Sequence, residues 1–456
     1  MIRKDLQQFL QQLESDLPDC FSRIRTPVDS QKFEITAALQ LAADRGRNSV
    51  TLFEKPTAVN GEFGIPFVSN VFATRGLCAY ALGLSHDNSG MGLVKAFGQL
   101  EQEAGTLEPT ENPPCQEVVY AGREVNVWSL PIPMHHKKDI GPYLTMACVM
   151  KGYKESFYDI TFTKNWVKAP QRMSISAARH HHLARIIADH EEQGEPTRMI
   201  VVLGHHPAFY LSACSLMPYM NNDYETAAAF LGEPLRLAPS VTWGGEFMVP
   251  ADSEIVIEAE VVPGVRQTQN PFGEIAGYYQ PEVEMPLAEV TAVSMKQRPV
   301  MQGIFPGHAE HWHLGGIPKE GSVYNSIRRK FPGVEAVHLP QSGCGRFSCV
   351  ISLTKDSDGD PVRAAMLAFP EIENLKMVTV VDADVDVGNE REVQWAIVTR
   401  TRWDQDIVVI RNVQEVREWM GDAVVIIDAT RPSIEGFPEM SSIPEEALAV
   451  AIEKGL

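Results

Sequence analysis

The stretch Gln269-Asn-Pro-Phe-Gly-Glu-Ile-Ala-Gly-Tyr-Tyr279 sets one carboxylate, Glu274, between a Pro-Phe-Gly turn and a second bend of small residues. Pro271 restricts one backbone angle and Gly273 permits an unusual one, so Glu274 leaves the turn in a defined direction. Phe272, Tyr278 and Tyr279 are placed to wall it with apolar surface. A carboxylate among aromatic rings tends to keep its proton to higher pH and can act as an acid near neutrality. The same pattern also fits a strand-turn-strand corner carrying a solvated glutamate, and local sequence alone leaves both readings open.

Working outward, residues 115 to 305 are rich in strand patterns. Ile255, Ile257, Ala259 and Val261 alternate with Val256, Glu258 and Glu260, the period of a half-buried strand. Residues 198–203 predict another strand, and residues 177–192 an inserted helix. On the N-terminal side, Leu6, Phe9, Leu10 and Leu13 follow helical spacing, and a second helix is predicted over residues 33–43. Short strand-like runs at 49–53 and 66–70 complete an α/β layer up to about residue 108. Pro-rich residues 108–114 predict a linker. Beyond His308 the α/β pattern returns, with buried strands predicted at 378–381, 407–410 and 424–427. Ser442-Ile-Pro-Glu445 has the spacing of a capping box opening a last helix with Leu448, Val450 and Ile452. The expected divisions are residues 1–108, 109–306 and 307–456.

At 456 residues the chain is long enough for two or three cores. A formal net charge of −19 argues against a nucleic-acid surface and against anionic membrane. Any anionic ligand must then be held by local cations, backbone N–H groups or a metal. No apolar run is long enough to span a bilayer. The start, Met1-Ile-Arg-Lys-Asp-Leu6, does not read as a signal peptide. Seven cysteines without a Cys-x-x-Cys pair suit reduced thiols in a cytoplasm.

The opening stretch resembles the Glu-Gly-Pro-Phe-Gly-Glu-x-x-Gly-Tyr-Tyr signature of the UbiD family of decarboxylases. Further stretches match in the family's order: Leu130-Pro-Ile-Pro133, Asp139-Ile-Gly-Pro-Tyr-Leu-Thr145, Asn165-Trp166, Arg172-Met173, Ser215-Leu-Met-Pro218, Asn222-Asp-Tyr224, Val262-Pro-Gly264, Val380-Val-Asp-Ala-Asp-Val-Asp386 and Asp428-Ala-Thr430. The resemblance implies an α/β (α+β) architecture: an N-terminal α/β layer, a central flavin-reductase-like split β-barrel holding the cofactor, and a C-terminal α/β domain that dimerises. It implies reversible, non-oxidative decarboxylation of an unsaturated, aromatic or heteroaromatic acid. The implied cofactors are prenylated FMN (supplied by a flavin prenyltransferase), a divalent Mn or Mg, and K.

Site residues follow from the same resemblance. Glu274 is the proton donor, and Arg172 positions the carboxylate between flavin and glutamate. Gln269 stands where the family has the first glutamate of its signature; an amide cannot pair ionically with an arginine, so Gln269 is expected to orient Arg172 by hydrogen bonding. Asn165 and Arg172 are seven apart, two more than in the family. Asn165, Trp166, Arg172, His182, Ser215, Met217 and Pro218 are the implied cofactor contacts. Asn165, His182 and Asp223 are the implied metal ligands, with Glu225 as a possible helper because the family has the longer glutamate at 223. An amide, an imidazole and a carboxylate suit a hard six-coordinate ion. Ser215, Met217 and Asp223 suit potassium. His180 and His181 read equally as a solvated helix face. In Gly307-His-Ala-Glu-His-Trp-His-Leu-Gly315, His308, His311, His313 and Trp312 either line the substrate pocket or decorate a joining loop.

Two other functions stay open. Gln269 and the altered Asn165–Arg172 spacing allow a non-catalytic flavin-binding or assembly subunit. The histidine runs allow a metal hydrolase, although no His-Glu-x-x-His spacing is present.

Overall fold

A computed structural model describes residues 4–177, 181–269, 271–413, 418–434 and 436–455. The chain forms two units, residues 1–325 with 337–348, and residues 326–336 with 349–456. The first holds the N-terminal layer and the barrel around one continuous apolar core.

In the N-terminal layer, Asp5 caps the helix Leu6–Asp16 by accepting from the Gln8 N–H, and Leu6, Phe9, Leu10 and Leu13 form its buried face. The helix Glu34–Asp44 follows, entered through Phe33 at φ 62°. Strands Phe21–Ile24, Val50–Phe53, Phe67–Ser69 and Met301–Gln302 pair in that order, so the chain returns to this sheet after completing the barrel.

The barrel strands are β1 (Val118–Ala121), β2 (Tyr143–Leu144), β3 (Ala147–Lys151), β4 (Tyr158–Phe162), β5 (Asn165–Ala169), β6 (Arg172–Ile175), β7 (Thr197–Val202), β8 (Ile255–Gln269) and β9 (Val283–Met295). They pair in the order β2-β5-β6-β9-β8-β7-β3-β4, with β1 added on β9. This curled sheet is the expected split barrel. The β8–β9 ladder breaks between Val261 and Arg266, where Pro263 lacks an N–H and Gly264 takes φ 69°. Such a bulge bends the hairpin, and pairing then resumes as far as Gln269 with Val283.

Several local expectations change. β8 is not half-buried: Val256 and Glu258 are as fully covered as Ile255 and Ile257. Glu258 survives inside because it accepts from Ser240 Oγ and from the Val241 and Thr242 N–H groups, each at 2.8 Å. The predicted linker contributes a short strand, Leu107–Pro109, pairing parallel with Leu235–Leu237. It lies at the edge of its sheet, where a proline is tolerated. The inserted helix spans His182–Glu191, and residues 178–180 lie outside the described residues.

The second unit carries the sheet order Val334–His338, Ser348–Leu353, Met377–Val381, Val424–Ala429, Ile407–Ile410. Helices Asp360–Met366 and Glu390–Arg400 contact its Met377–Val381 and Val424–Ala429 strands. Ile407–Ile410 is an edge strand, not a buried one, with Val409 exposed. The last helix spans Glu445–Glu453. Pro444 is its N-cap and no side chain caps it, so the Ser442 capping box does not form.

Candidate active site

Glu274 is held by its own backbone. Phe272 and Gly273 pair with Gln280 and Tyr279; the Glu274 N–H donates to Tyr278 O (2.9 Å), and the Gly277 N–H donates to Glu274 O (3.0 Å). Gly277, at φ 76°, closes this turn. Asp139 fixes the turn from below, accepting the Gly273 N–H at 3.0 Å and the His136 N–H at 2.8 Å. A Cβ on Gly273 would lie 2.3 Å from His136 Nδ1, so the glycine of the Pro-Phe-Gly turn serves close approach.

The walls differ in part from expectation. Phe272 is fully buried against Tyr143, with ring centroids 4.2 Å apart. Tyr278 is 62% exposed and forms no wall, while Tyr279 packs edge-on to His136. The 307–315 cluster supplies the missing side. Its residues from Ala309 open the helix Ala309–Arg328, and the Trp312 indole N–H donates to Ile275 O at 2.9 Å. His308 stacks on Phe305, and His311 Nδ1 accepts the Gly307 N–H. Burial pushes His308 down to about 4 and His135 to about 3. His311 is driven well below its ordinary value by burial and then by the positive charges of Arg346 and Lys164. Burial therefore favours the neutral form of these imidazoles. His313 is also buried, its Nε2 at 2.9 Å from Gln341 Nε2.

The cation beside Glu274 is Lys164, which forms an ion pair with Glu274 Oε1 and lies over the Phe272 ring, 5.3 Å from its centroid. Arg172 does not join it. The β5–β6 turn is Pro170-Gln171. Asn165 pairs with Ile175 at one end of this hairpin, and Arg172 with Ala169 at the other. Four residue steps along β5 separate the two ends, about 13 Å. Arg172 is mostly exposed and bonds Glu289 at 3.1 Å. Gln269, buried, accepts instead from Ser174 Oγ at 2.7 Å, so it does not orient Arg172.

The implied metal ligands are placed as follows. Asn165 is fully buried; its Nδ2 donates to Thr163 Oγ1 at 2.9 Å, and its Oδ1 has no partner. His182 opens its helix with Nδ1 2.8 Å from Asp159 Oδ2, a contact that raises its proton affinity. Asp223, first residue of the helix Asp223–Leu231, accepts the Ile160 N–H at 2.8 Å. Burial, and then nearby Asp159, push its carboxyl up to about 7. Glu225 is occupied by the Asn222 amide at 3.0 Å. Among the described residues no three His, Cys, Asp or Glu side chains converge as a ready-made metal centre. An orphaned amide oxygen, one imidazole with Nε2 to offer and one carboxylate fit a hard ion completed by phosphate oxygens and water, the usual way Mg-type ions are held. Trp166 packs over Gly141, where a Cβ would meet its Nε1 at 2.5 Å. Ser215, Met217 and Pro218 lie on the loop before Asp223, where the Leu216 N–H donates to Glu101 at 3.1 Å. His180 lies outside the described residues, and His181 is the residue before the helix.

Sequence reasoning missed Lys164, Asp159 and the structural part of Asp139. Lys164 had one signal, its place immediately before Asn165. Asp159 had another, an acid inside the apolar run Tyr158-Asp-Ile-Thr-Phe162.

Family models for 3-octaprenyl-4-hydroxybenzoate carboxy-lyase match in three parts: the N-terminal domain over residues 18–97, the Rift-related domain over 107–309 and the C-terminal domain over 312–417. A protein of the cooM 5' region of Rhodospirillum rubrum is 31% identical over 303 residues, 66% of this chain and 64% of that one. Anhydromevalonate phosphate decarboxylase of Methanosarcina mazei is 28% identical over 399 residues, 86% and 91% of the two chains. Among solved structures, an evolved dimeric form of the UbiD-class enzyme HmfF from Pelotomaculum thermopropionicum, in complex with prFMN, superposes with TM-score 0.88 at 29% identity, over 98% of each chain. This chain belongs to the UbiD family, and its enzyme class is that of the carboxy-lyases.

Proposed function

We propose that the protein is a prenylated-FMN-dependent decarboxylase of an unsaturated, aromatic or heteroaromatic carboxylic acid, with Glu274 as the proton donor. The observation that carries this reading is the placement of Glu274: a largely buried carboxyl on a turn that follows the buried Phe272 ring and is tied by the Trp312 indole N–H donating to Ile275 O. When bound, the flavin supplies the carbon that accepts the electrons released as carbon dioxide leaves. The protein positions the acid, keeps water from the reacting carbon and returns one proton to it from the Glu274 carboxyl.

A non-catalytic assembly subunit has its own support, since Gln269 with Ser174 and Arg172 with Glu289 leave the family's Glu–Arg pairing unbuilt. One experiment separates the two. Protein produced together with a flavin prenyltransferase is assayed for carbon dioxide release from a panel of aromatic, heteroaromatic and acrylic acids. Release supports the decarboxylase; bound flavin without release from any acid supports the subunit.

In the metal site, Asp159 would hold the His182 ring so that Nε2 faces the ion, and Asn165 Oδ1 and Asp223 would complete the protein's share. Carboxylates behind metal-bound histidines set ring orientation and tautomer. Asp159→Asn is expected to weaken Mn binding to the flavin-loaded protein by about 10- to 100-fold. Calorimetric titration checks this, and an unaltered affinity would remove Asp159 from the site.

The partner most consistent with the surface is a second copy of this chain. The terminal helix Glu445–Glu453 buries none of its residues, and Ile443, Leu448, Val450 and Ile452 are exposed. Apolar exposure on this scale marks a protein contact. Sedimentation equilibrium should show at least a dimer, and a monomer at micromolar concentration would count against it. Among the described residues no helix is long and apolar enough to cross a membrane.

A further inference from the structure

We propose that Lys164, and not Arg172, is the cation that receives the substrate carboxylate. The proposal rests on the decarboxylase reading above. Three observations support it.

The first is position. The β5–β6 hairpin puts Asn165 and Arg172 at opposite ends, and Lys164 directly precedes Asn165. Lys164 therefore shares the end of the hairpin that carries the implied ligand, whereas Arg172 faces outward and bonds Glu289. The second is company. Lys164 pairs with Glu274, lies over Phe272 and places enough charge on His311 to lower its proton affinity. Its side chain is 22% exposed, so the ammonium is shielded but not sealed off. An ammonium has three N–H donors, enough to hold Glu274 and an incoming carboxylate together.

The third is Gln269. A glutamate at this buried position would need a cation, and the side chain Gln269 bonds is the uncharged Ser174 hydroxyl. With the Arg172 guanidinium held by Glu289, a buried carboxylate here would lack that partner, and an unpaired buried charge is costly. The neutral amide avoids that cost. A neutral Gln269 and an outward-facing Arg172 are thus mutually consistent, and Lys164 supplies the positive charge beside Glu274.

The chemistry balances without a redox partner. The bond between the ring or vinyl carbon and the carboxylate carbon breaks, carbon dioxide leaves, and the bond pair, for which the bound flavin would serve as electron sink, returns to the substrate carbon when that carbon is protonated. Glu274, a carboxylate while paired with Lys164, takes one proton from solvent and delivers it to form the new C–H bond. Lys164 keeps its protons throughout and acts as a point charge, which orients the carboxylate without the two-pronged grip of an arginine.

The test uses flavin-loaded wild type, Lys164→Met, Lys164→Arg and Arg172→Ala, each assayed on the acid of the panel that the wild type turns over best. Lys164→Met should lower kcat/KM by about 100-fold, mostly through KM, with flavin content retained. Lys164→Arg should recover a substantial part, and Arg172→Ala should cost less than Lys164→Met. A double variant, Lys164→Met with Glu274→Gln, leaves no buried charge unpaired. Failure of the single variant to fold where the double one folds and binds flavin supports the pairing. If Lys164→Met keeps wild-type KM, or if Arg172→Ala proves the more damaging, the assignment is overturned while the decarboxylase reading stands. If the wild type releases carbon dioxide from no acid, that reading falls and this assignment with it.

Discussion

Glu274→Gln should abolish carbon dioxide release, a loss of about 10³-fold, while the flavin stays bound. The amide has the size of the acid, and its one oxygen can still accept from Lys164, giving up only the contact of Glu274 Oε2 with the Ile275 N–H at 3.3 Å. The turn does not depend on the side chain, because the Glu274 N–H and C=O make its hydrogen bonds to Tyr278 and Gly277. What the amide lacks is a transferable proton. Release is followed by gas analysis under saturating acid, and flavin content by visible absorption. A rate within about threefold of wild type would exclude Glu274 as the proton donor.

The largest effect on stability is expected at Arg75. Its Nη1 lies 2.8 Å from Glu320 Oε1, and that oxygen also meets His338 Nδ1 and the Leu339 N–H, each at 2.9 Å. Glu320 is fully buried. Burial alone would raise its pKa, but the Arg75 guanidinium and then His338 outweigh it and hold the carboxyl down at about 2. Arg75→Met strands this charge and should destabilise the unit by about 3–5 kcal/mol. Arg75→Met with Glu320→Gln should recover much of the loss, since no unpaired charge then remains. The sign with pH follows from the depressed value. The pair stabilises fully above the ordinary value of 4.5, and the contribution is lost as pH falls from there towards 2. Urea unfolding at neutral pH and near pH 4 checks both statements. Equal stability of wild type and Arg75→Met at neutral pH would refute them.

Much of the fold was legible in the chain because periodicity reports burial directly. The four apolar residues of the first helix are the four it buries. Runs such as Val424–Ala429 are strands of the C-terminal sheet. Failures occurred where a second layer altered the meaning of a pattern. Glu258 reads as a solvent-facing residue of an alternating strand, yet three donors from the 240–242 turn satisfy it inside. Ser442 reads as a cap, yet the helix begins after Pro444 with no side-chain cap. The histidines of 308–313 left pocket and loop equally open, because neither burial nor neighbours are written in the spacing.

The sequence by itself determined the family, the barrel and the carboxylate on its turn, the last because Pro271 fixes one backbone angle and Gly277 accepts the φ of 76° that closes the turn. Which cation faces that carboxylate was decided only in three dimensions. The hairpin register sets Arg172 opposite Ala169, four strand positions from Asn165, and a lysine 110 residues before Glu274 closes onto that carboxylate. Such pairings depend on strand register and sheet curvature, which sum interactions over the whole barrel and leave no mark at either residue.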